Sequence, residues 1–146
     1  MDPLSITVSV TSLLFAAGRI IQSVNEIHSQ FKHAPLLISS ISTECTVVYA
    51  SLGLLQDLLE NPQSHLASAT VNVRNAIHMA TLGCALTLSV LEKDLQSCVV
   101  AGKDPHDIEA VRRSKVVMGK DHLQELVVQL RGQQTALGLL FNLMQR

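Results

Sequence analysis

The amino-acid sequence predicts an all-α fold, an up-down four-helix-type bundle with long amphipathic helices. Four prolines divide the 146 residues into long stretches. Within each stretch apolar residues recur at steps of three and four, the spacing that places them on one face of an α-helix. Aromatic residues make up only 3% of the chain, so the core must consist mainly of Leu, Val, Ile and Ala. A chain of this length corresponds to one domain, and we expect a single domain over residues 1–146.

The first stretch has the most regular pattern. Its apolar residues lie at Ile6, Val10, Leu13, Ala17, Ile20, Val24, Ile27 and Phe31. This spacing predicts a helix over about residues 3–33, with Asp2 as the cap before Pro3 in the first turn. Residues 6–11 also alternate between apolar and hydroxyl side chains, which is typical of a β-strand. We predict a helix, because the alternation ends at Ser12 whereas the helical spacing continues, and we keep the strand as the alternative.

The other three stretches predict three further helices. The apolar residues that share a face are Ile38, Ile41, Cys45, Val48, Leu52, Leu55 and Leu59 in the second stretch, Val73, Ile77, Ala80, Cys84, Leu88, Leu91, Leu95 and Cys98 in the third, and Val116, Leu123, Leu126, Leu130, Leu137, Leu140 and Met144 in the fourth. We expect helices over about residues 35–60, 66–101 and 105–145, the last beginning at the pair Asp104–Pro105. A break of this helix near Gly119 is left open, since glycine is a weak helix former.

Composition and charge narrow the classes of function. The formal net charge is −1, whereas general nucleic-acid binding needs a basic surface, so we expect no nucleic-acid partner. The three cysteines, Cys45, Cys84 and Cys98, are odd in number and far apart. This is typical neither of a disulfide framework nor of a zinc site. We expect three reduced, buried thiols in a cytoplasmic protein.

The sequence contains no catalytic or metal-binding motif. The six histidines fit no metal-ligand motif, and the glycines form no phosphate-binding loop. No serine lies in a sequence motif that is typical of a catalytic nucleophile. An enzyme or a carrier of a small ligand would also need a pocket, which a narrow bundle rarely offers. We therefore expect neither enzymatic activity nor a bound cofactor or metal.

A run close to the start of the chain has no charged side chain. From Pro3 to Gly18 the polar side chains are all hydroxyls, whereas a surface helix normally keeps charges on its wet face. This run is also shorter than the roughly 20 apolar residues that a transmembrane helix requires. Two interpretations follow: a core helix covered by its neighbours, or a releasable amphipathic segment that engages a membrane or a partner. For the second, the candidate contact residues are Leu4, Ile6, Val10, Leu13, Leu14 and Phe15.

A basic cluster is the one bias of charge along the chain. It consists of Arg112, Arg113, Lys115 and Lys120. Such a cluster is ordinarily the solvated face of a helix. The functional alternative is a contact for anionic lipid headgroups, where each Lys or Arg near the membrane surface contributes about 1 kcal/mol.

Four segments of the chain resemble a known family: MDPLSITVSVTSLLFAAG at the start, APLLISSISTEC followed by LGLLQDLL, then LGCALTLSVLEKDL, and finally LQELVVQLRGQQTALGLLFNLMQ. They are similar to the N-terminal domain of fungal NACHT- or ankyrin-containing receptor-like proteins, the domain type named after azaphilone pigment cluster proteins. This type belongs to the wider class of HeLo-like helical domains. The resemblance covers nearly the whole chain. The chain departs from it by lacking the tryptophan often found before the last helix, where Arg112 to Gly119 stands.

The resemblance implies a four-helix-type bundle at the front of a larger intracellular NLR-like sensor. It implies an effector or signalling role in programmed cell death, heterokaryon incompatibility or innate immunity, through oligomerisation and membrane engagement by the N-terminal helix. The implied partners are a second copy, proteins of a signalling complex, and an anionic membrane to which the cytoplasmic protein is recruited on activation. The alternative is an adaptor bundle that binds proteins and has no membrane activity.

Overall fold

The structure, a computed structural model, describes residues 3–31, 36–60 and 71–144, with side chains from Ser9 onward in the first range. These residues form five α-helices and no strand: α1 Pro3–Gln30, α2 Leu36–Glu60, α3 Val71–Lys103, α4 Ile108–Val117 and α5 Lys120–Met144. The prediction of an all-α helical bundle is confirmed. The strand alternative for residues 6–11 is wrong, because these residues lie in α1.

Each long helix buries one apolar face in a common core. The buried residues that occupy predicted positions are Val10, Leu13, Ala17, Ile20, Val24 and Ile27 in α1, Ile38, Ile41, Cys45, Val48, Leu52 and Leu55 in α2, Ile77, Cys84, Leu88, Leu91, Leu95 and Cys98 in α3, and Leu123, Leu126, Leu130, Leu137 and Leu140 in α5. They share a face because residues three and four apart return to the same side of a helix. Three further buried apolar residues, Val99 and Ala101 of α3 and Val127 of α5, lie outside the predicted spacing. Val116 is an exception in the opposite sense. It is exposed and its neighbour Val117 is buried, since α4 is a separate helix with its own orientation.

α1 and α2 run antiparallel. Near the start of α1, Thr11 accepts a hydrogen bond from Gln56, which lies near the end of α2, with an Nε2–Oγ1 distance of 2.8 Å. Near the end of α1, His28 Nε2 lies 3.1 Å from Ser39 Oγ at the start of α2. The residue numbers therefore fall along α2 as they rise along α1.

α1 and α3, by contrast, run parallel. Arg19 pairs with Glu92 at an Nε–Oε1 distance of 2.6 Å, and further along both helices Glu26 pairs with Lys103 at 3.6 Å. The residue numbers of the two helices rise together. Ser9 and Leu13 of α1 line a small cavity together with His78 and Leu82 of α3. The uncharged part of α1 therefore lies beside the first half of α3.

α5 runs antiparallel to α3 and therefore parallel to α2. His122 at the start of α5 contacts Asp94 late in α3, whereas Gln133 further along α5 contacts Thr87 earlier in α3. Around the core the long helices follow the order α1, α2, α5, α3, and α4 lies against α3. The directions alternate along the chain, as in an up-down bundle. In space, however, α2 and α3 lie across the core from each other, so two of the neighbouring pairs are parallel.

The corner between α3 and α4 corrects the predicted start of the last helix. α4 begins at Ile108 and not at Pro105. Asp107 is the N-cap, because its carboxylate accepts a hydrogen bond from the Ala110 N–H at 3.1 Å. The Asp107 N–H in turn donates to the Asp104 carbonyl at 3.2 Å. The pair Asp104–Pro105 therefore forms the turn that precedes the helix, and the second aspartate caps it.

A break at Gly119 separates α4 from α5. Met118 ends α4, its N–H donating to the Ser114 carbonyl at 2.9 Å. A Cβ on Gly119 would lie 3.1 Å from the Val116 carbonyl oxygen, which is tight enough to force that carbonyl to shift. The tight turn therefore favours glycine, and it allows α4 to fold onto α3 while α5 continues along the bundle.

The other predicted helix ends differ by a few residues or lie outside the described residues. α1 ends at Gln30, where the spacing predicts residue 33, although the Phe31 N–H still donates to the Ile27 carbonyl at 2.9 Å. α3 ends at Lys103 rather than at residue 101. The predicted cap Asp2 and the predicted start of the third helix at residue 66 are not among the described residues.

We expect Ile20→Ala to destabilise the bundle by about 2–5 kcal/mol, because Ile20 is fully buried and its truncation leaves a cavity against the neighbouring helices. Denaturant unfolding of the full chain, followed by circular dichroism, measures the change. Ile108→Ala is the matched control. Ile108 is 82% exposed, so the same truncation should change the free energy of unfolding by less than about 0.5 kcal/mol. Equal losses in the two variants would contradict the described core.

Candidate functional site

Two ion pairs lie near the middle of the bundle, one on each side. Between α1 and α3, Arg19 pairs with Glu92, and between α2 and α5, Arg131 pairs with Glu44 at an Nε–Oε1 distance of 3.0 Å. Both pairs lie close to one level along the axis, because Cys45, next to Glu44, donates its thiol hydrogen to the carbonyl of Ala17, two residues before Arg19, at 3.7 Å. These four charged residues are called the ion-pair belt below. Such exposed pairs contribute only about 0–1 kcal/mol each, so the belt marks a boundary on the surface more than it stabilises the fold.

On one side of the belt all four long helices are without charge. Residues 9–18, 45–56, 75–91 and 132–144 contain no Asp, Glu, Lys or Arg. These stretches are the start of α1, the end of α2, the start of α3 and the end of α5, and the helix directions bring them to the same end of the bundle. This part of the molecule is called the uncharged half. Charged residues occur again only at the far end of this half, which is called its tip below.

The uncharged half exposes most of the large apolar side chains on the described surface. Ten of the fifteen exposed large hydrophobic residues belong to it: Phe15, Val47, Tyr49, Leu54, Met79, Leu82, Leu86, Val90, Leu139 and Leu143. Scattered exposed apolar residues are normal, whereas an extended apolar surface without charge marks a place where a protein meets another surface. The uncharged half is therefore the candidate functional site.

A half-buried amide links α5 to α3 inside the uncharged half. The Cys84 thiol lies 3.6 Å from Gln133 Oε1, and Gln133 Nε2 lies 3.4 Å from Thr87 Oγ1. A Cβ on Gly83 would come within 3.2 Å of Gln133 Oε1, so the missing side chain makes room for the amide. A shift of α5 by one turn would separate this amide from both partners.

The structure separates the apolar residues that the sequence groups together at the start of α1. Val10 and Leu13 are buried in the core, and Leu14 is half-buried against it. Phe15 is 66% exposed, so among the described candidates it is the one that the folded bundle presents to solvent. Leu4 and Ile6 lie in α1, but their side chains are outside the described part of the structure.

The basic cluster lies at the opposite end of the bundle from the start of α1. Arg112, Lys115 and Lys120 are exposed, whereas Arg113 pairs with Asp94 at 3.2 Å. Lys115 lines a groove with the end of α1, so at about 1.5 Å per residue the cluster lies on the order of 20 Å along the axis from Phe15. The two predicted contact regions are therefore not one surface.

A buried carboxylate joins three helices, and the sequence analysis missed it. Asp94 of α3 is only 4% exposed. One of its oxygens accepts from Arg113 of α4, and the other lies 2.9 Å from His122 Nε2 of α5. A cleft of about 360 Å³ beside this group is lined also by Glu109 and Arg112. The signal was present in the sequence as an aspartate beside the apolar seam of α3, although its partners are far away along the chain.

A second groove, of about 600 Å³, lies between the end of α1 and α4. Phe31 and Met118 supply apolar walls, and Lys115 lies at the groove. Gln30 packs its amide oxygen against Gly102, where any side chain would collide with it. This oxygen has no hydrogen-bond partner among the described atoms. The groove lies on the other side of the ion-pair belt from the uncharged half, in the part of the bundle called the charged half below.

The described residues contain no group of three or more His, Cys, Asp or Glu side chains that could hold a metal ion. α2 is long and apolar enough to cross a membrane by length and composition. A core helix of a soluble protein meets the same test, and α2 packs six buried residues into the core at the helical spacing. Core packing accounts for only part of this composition, because Val47, Tyr49 and Leu54 of α2 are exposed.

The three cysteines are buried, free thiols. Burial raises the pKa of Cys45 to about 12 and the pKa of Cys84 to about 11. The pKa of Cys98 is also raised to about 11, first by burial and second by the charge of Asp94. Since the thiolate is the reactive form of cysteine, all three thiols are chemically protected in the folded bundle.

The comparisons with known proteins give no relative to set beside this geometry: no protein-family model, no curated protein and no solved structure matches the chain.

We expect Asp94→Asn to destabilise the bundle by about 1–3 kcal/mol, because a neutral amide cannot accept from both Arg113 and His122 as the carboxylate does. Denaturant unfolding at neutral pH measures the loss. Asp57→Asn makes the same chemical change at an exposed position of α2, and its effect should stay within about 0.5 kcal/mol. If Asp94→Asn were as mild as this control, the buried carboxylate would not hold the three helices together.

We expect the three thiols of the folded chain to react slowly with a thiol-specific disulfide reagent at mildly alkaline pH, because burial keeps Cys45, Cys84 and Cys98 protonated. Absorbance of the released reagent measures the rate. The same chain in denaturant is the control and should release three equivalents rapidly. Rapid reaction of any thiol under native conditions would show that its helix opens readily.

Proposed function

We propose that this chain is the N-terminal effector or signalling domain of a fungal NLR-like receptor of the cell-death or immune type. In this proposal it acts by oligomerisation and by membrane engagement through its N-terminal helix. The observation that carries the mode of action is the uncharged half, in which four helices turn apolar side chains outward at one end of the bundle. The receptor class rests on the resemblance of the four sequence segments.

The start of α1 supports membrane engagement in two steps. Phe15 is exposed and makes the first contact, whereas Val10 and Leu13 lie in the core and reach lipid only when α1 leaves the bundle. Because lipid tails are as apolar as a protein core, this transfer preserves apolar burial worth about 1.5–3 kcal/mol for each large side chain. What α1 loses is its close fit against α2 and α3. A signal that releases α1 therefore has to offset the free energy of helix packing. It does not have to offset the free energy of apolar burial.

The position of α1 is compatible with its release. α1 packs against α2 and α3 and lies across the core from α5. Its ion pair with α3, Arg19–Glu92, lies at the surface, where such pairs contribute about 0–1 kcal/mol. Insertion of the intact bundle by its tip is disfavoured, because Asp57 and Glu60 at the end of α2 would enter the hydrocarbon at about 2.5–3.5 kcal/mol per charge.

The basic cluster can contact the same membrane as Phe15 only when the bundle lies along the membrane surface. α4 carries Arg112 and Lys115 and packs on α3, beside the end of α1. A side-on orientation with α1 toward the lipid brings Lys115, which lines the groove at the end of α1, to the same membrane as Phe15, whereas Arg112 lines the cleft beside His122 of α5. Arg113 contributes less than its neighbours, since its charge is already paired with Asp94.

An adaptor bundle without membrane activity is the second candidate. It is favoured by the exposed apolar residues on α2 and α5, such as Val47, Leu54 and Leu139. A membrane contact through α1 leaves these residues uncovered, whereas a partner protein that surrounds the uncharged half covers them. In this case the chain forms discrete complexes and leaves vesicles intact.

Dye release from anionic vesicles tests the membrane function. We expect Phe15→Asp to abolish release, because a charge at the first contact opposes entry into lipid, while the core remains untouched. Val128→Asp is the matched control, since Val128 on α5 is 65% exposed and Phe15 is 66% exposed. Leu13→Asp and deletion of residues 1–18 are less informative, because both remove buried parts of the core.

Three results of this experiment are distinct. Release by the wild-type chain and the Val128→Asp variant, with none by the Phe15→Asp variant, supports engagement through α1. Equal release by all three chains would contradict the role of α1. Absence of release by the folded wild-type chain would contradict the membrane function and leave the adaptor bundle.

A further inference from the structure

We draw no further inference here: the strongest candidate, the groove of about 600 Å³ between the end of α1 and α4, carries no proposal, because one lysine beside its apolar walls does not identify an occupant and nothing in the described part of the structure shows what covers it.

Discussion

The burial of four apolar faces in one core is the constraint on which the rest of this structure depends. Every long helix buries one apolar face in this core, so none of them is stable without the others. Once the faces meet, the helices have little freedom to slide, because each side chain fits between residues of its neighbours. The half-buried amide of Gln133 and the buried carboxylate of Asp94 then tie α5 to α3 in one register.

This register decides where the charges lie. Each helix is charged along only part of its length, and the alternating directions bring the four uncharged stretches to one end. The ion-pair belt lies at the boundary of this uncharged end. The basic cluster, the buried Asp94 with its two partners, and both grooves lie on the other side of the belt. The molecule thus presents an apolar surface at one end and a polar one at the other. This apolar end follows from the way the core is assembled and requires no dedicated loop.

Much of the fold could be predicted from the sequence, because helical spacing is local information. Most core residues of α1, α2, α3 and α5 lie where the 3–4 pattern predicts them. The first residue of α4 was harder to predict, because Asp104 and Asp107 are both possible N-caps. Only the turn between them determines which aspartate caps the helix. The candidate site was harder still. The uncharged run close to the start of the chain is visible in the sequence, but its exposure is not: Val10 and Leu13 turn inward and Phe15 turns outward. The convergence of four uncharged stretches depends on helix order in space, which no local pattern contains.

A polarity-sensitive fluorophore placed at exposed positions tests the central claim, that the uncharged half is where this chain meets other surfaces. Single cysteines introduced at Phe15, Leu86, Val116 and Val128 give labelling sites, since the native thiols are buried. The spectra are compared in dilute chain, in concentrated chain and with anionic vesicles. The account predicts a blue shift at Leu86 on concentration and at Phe15 with vesicles, with no change at Val116 or Val128. A shift at Val116, beside the basic cluster, and none at Phe15 or Leu86 would place the contact in the charged half and contradict the account.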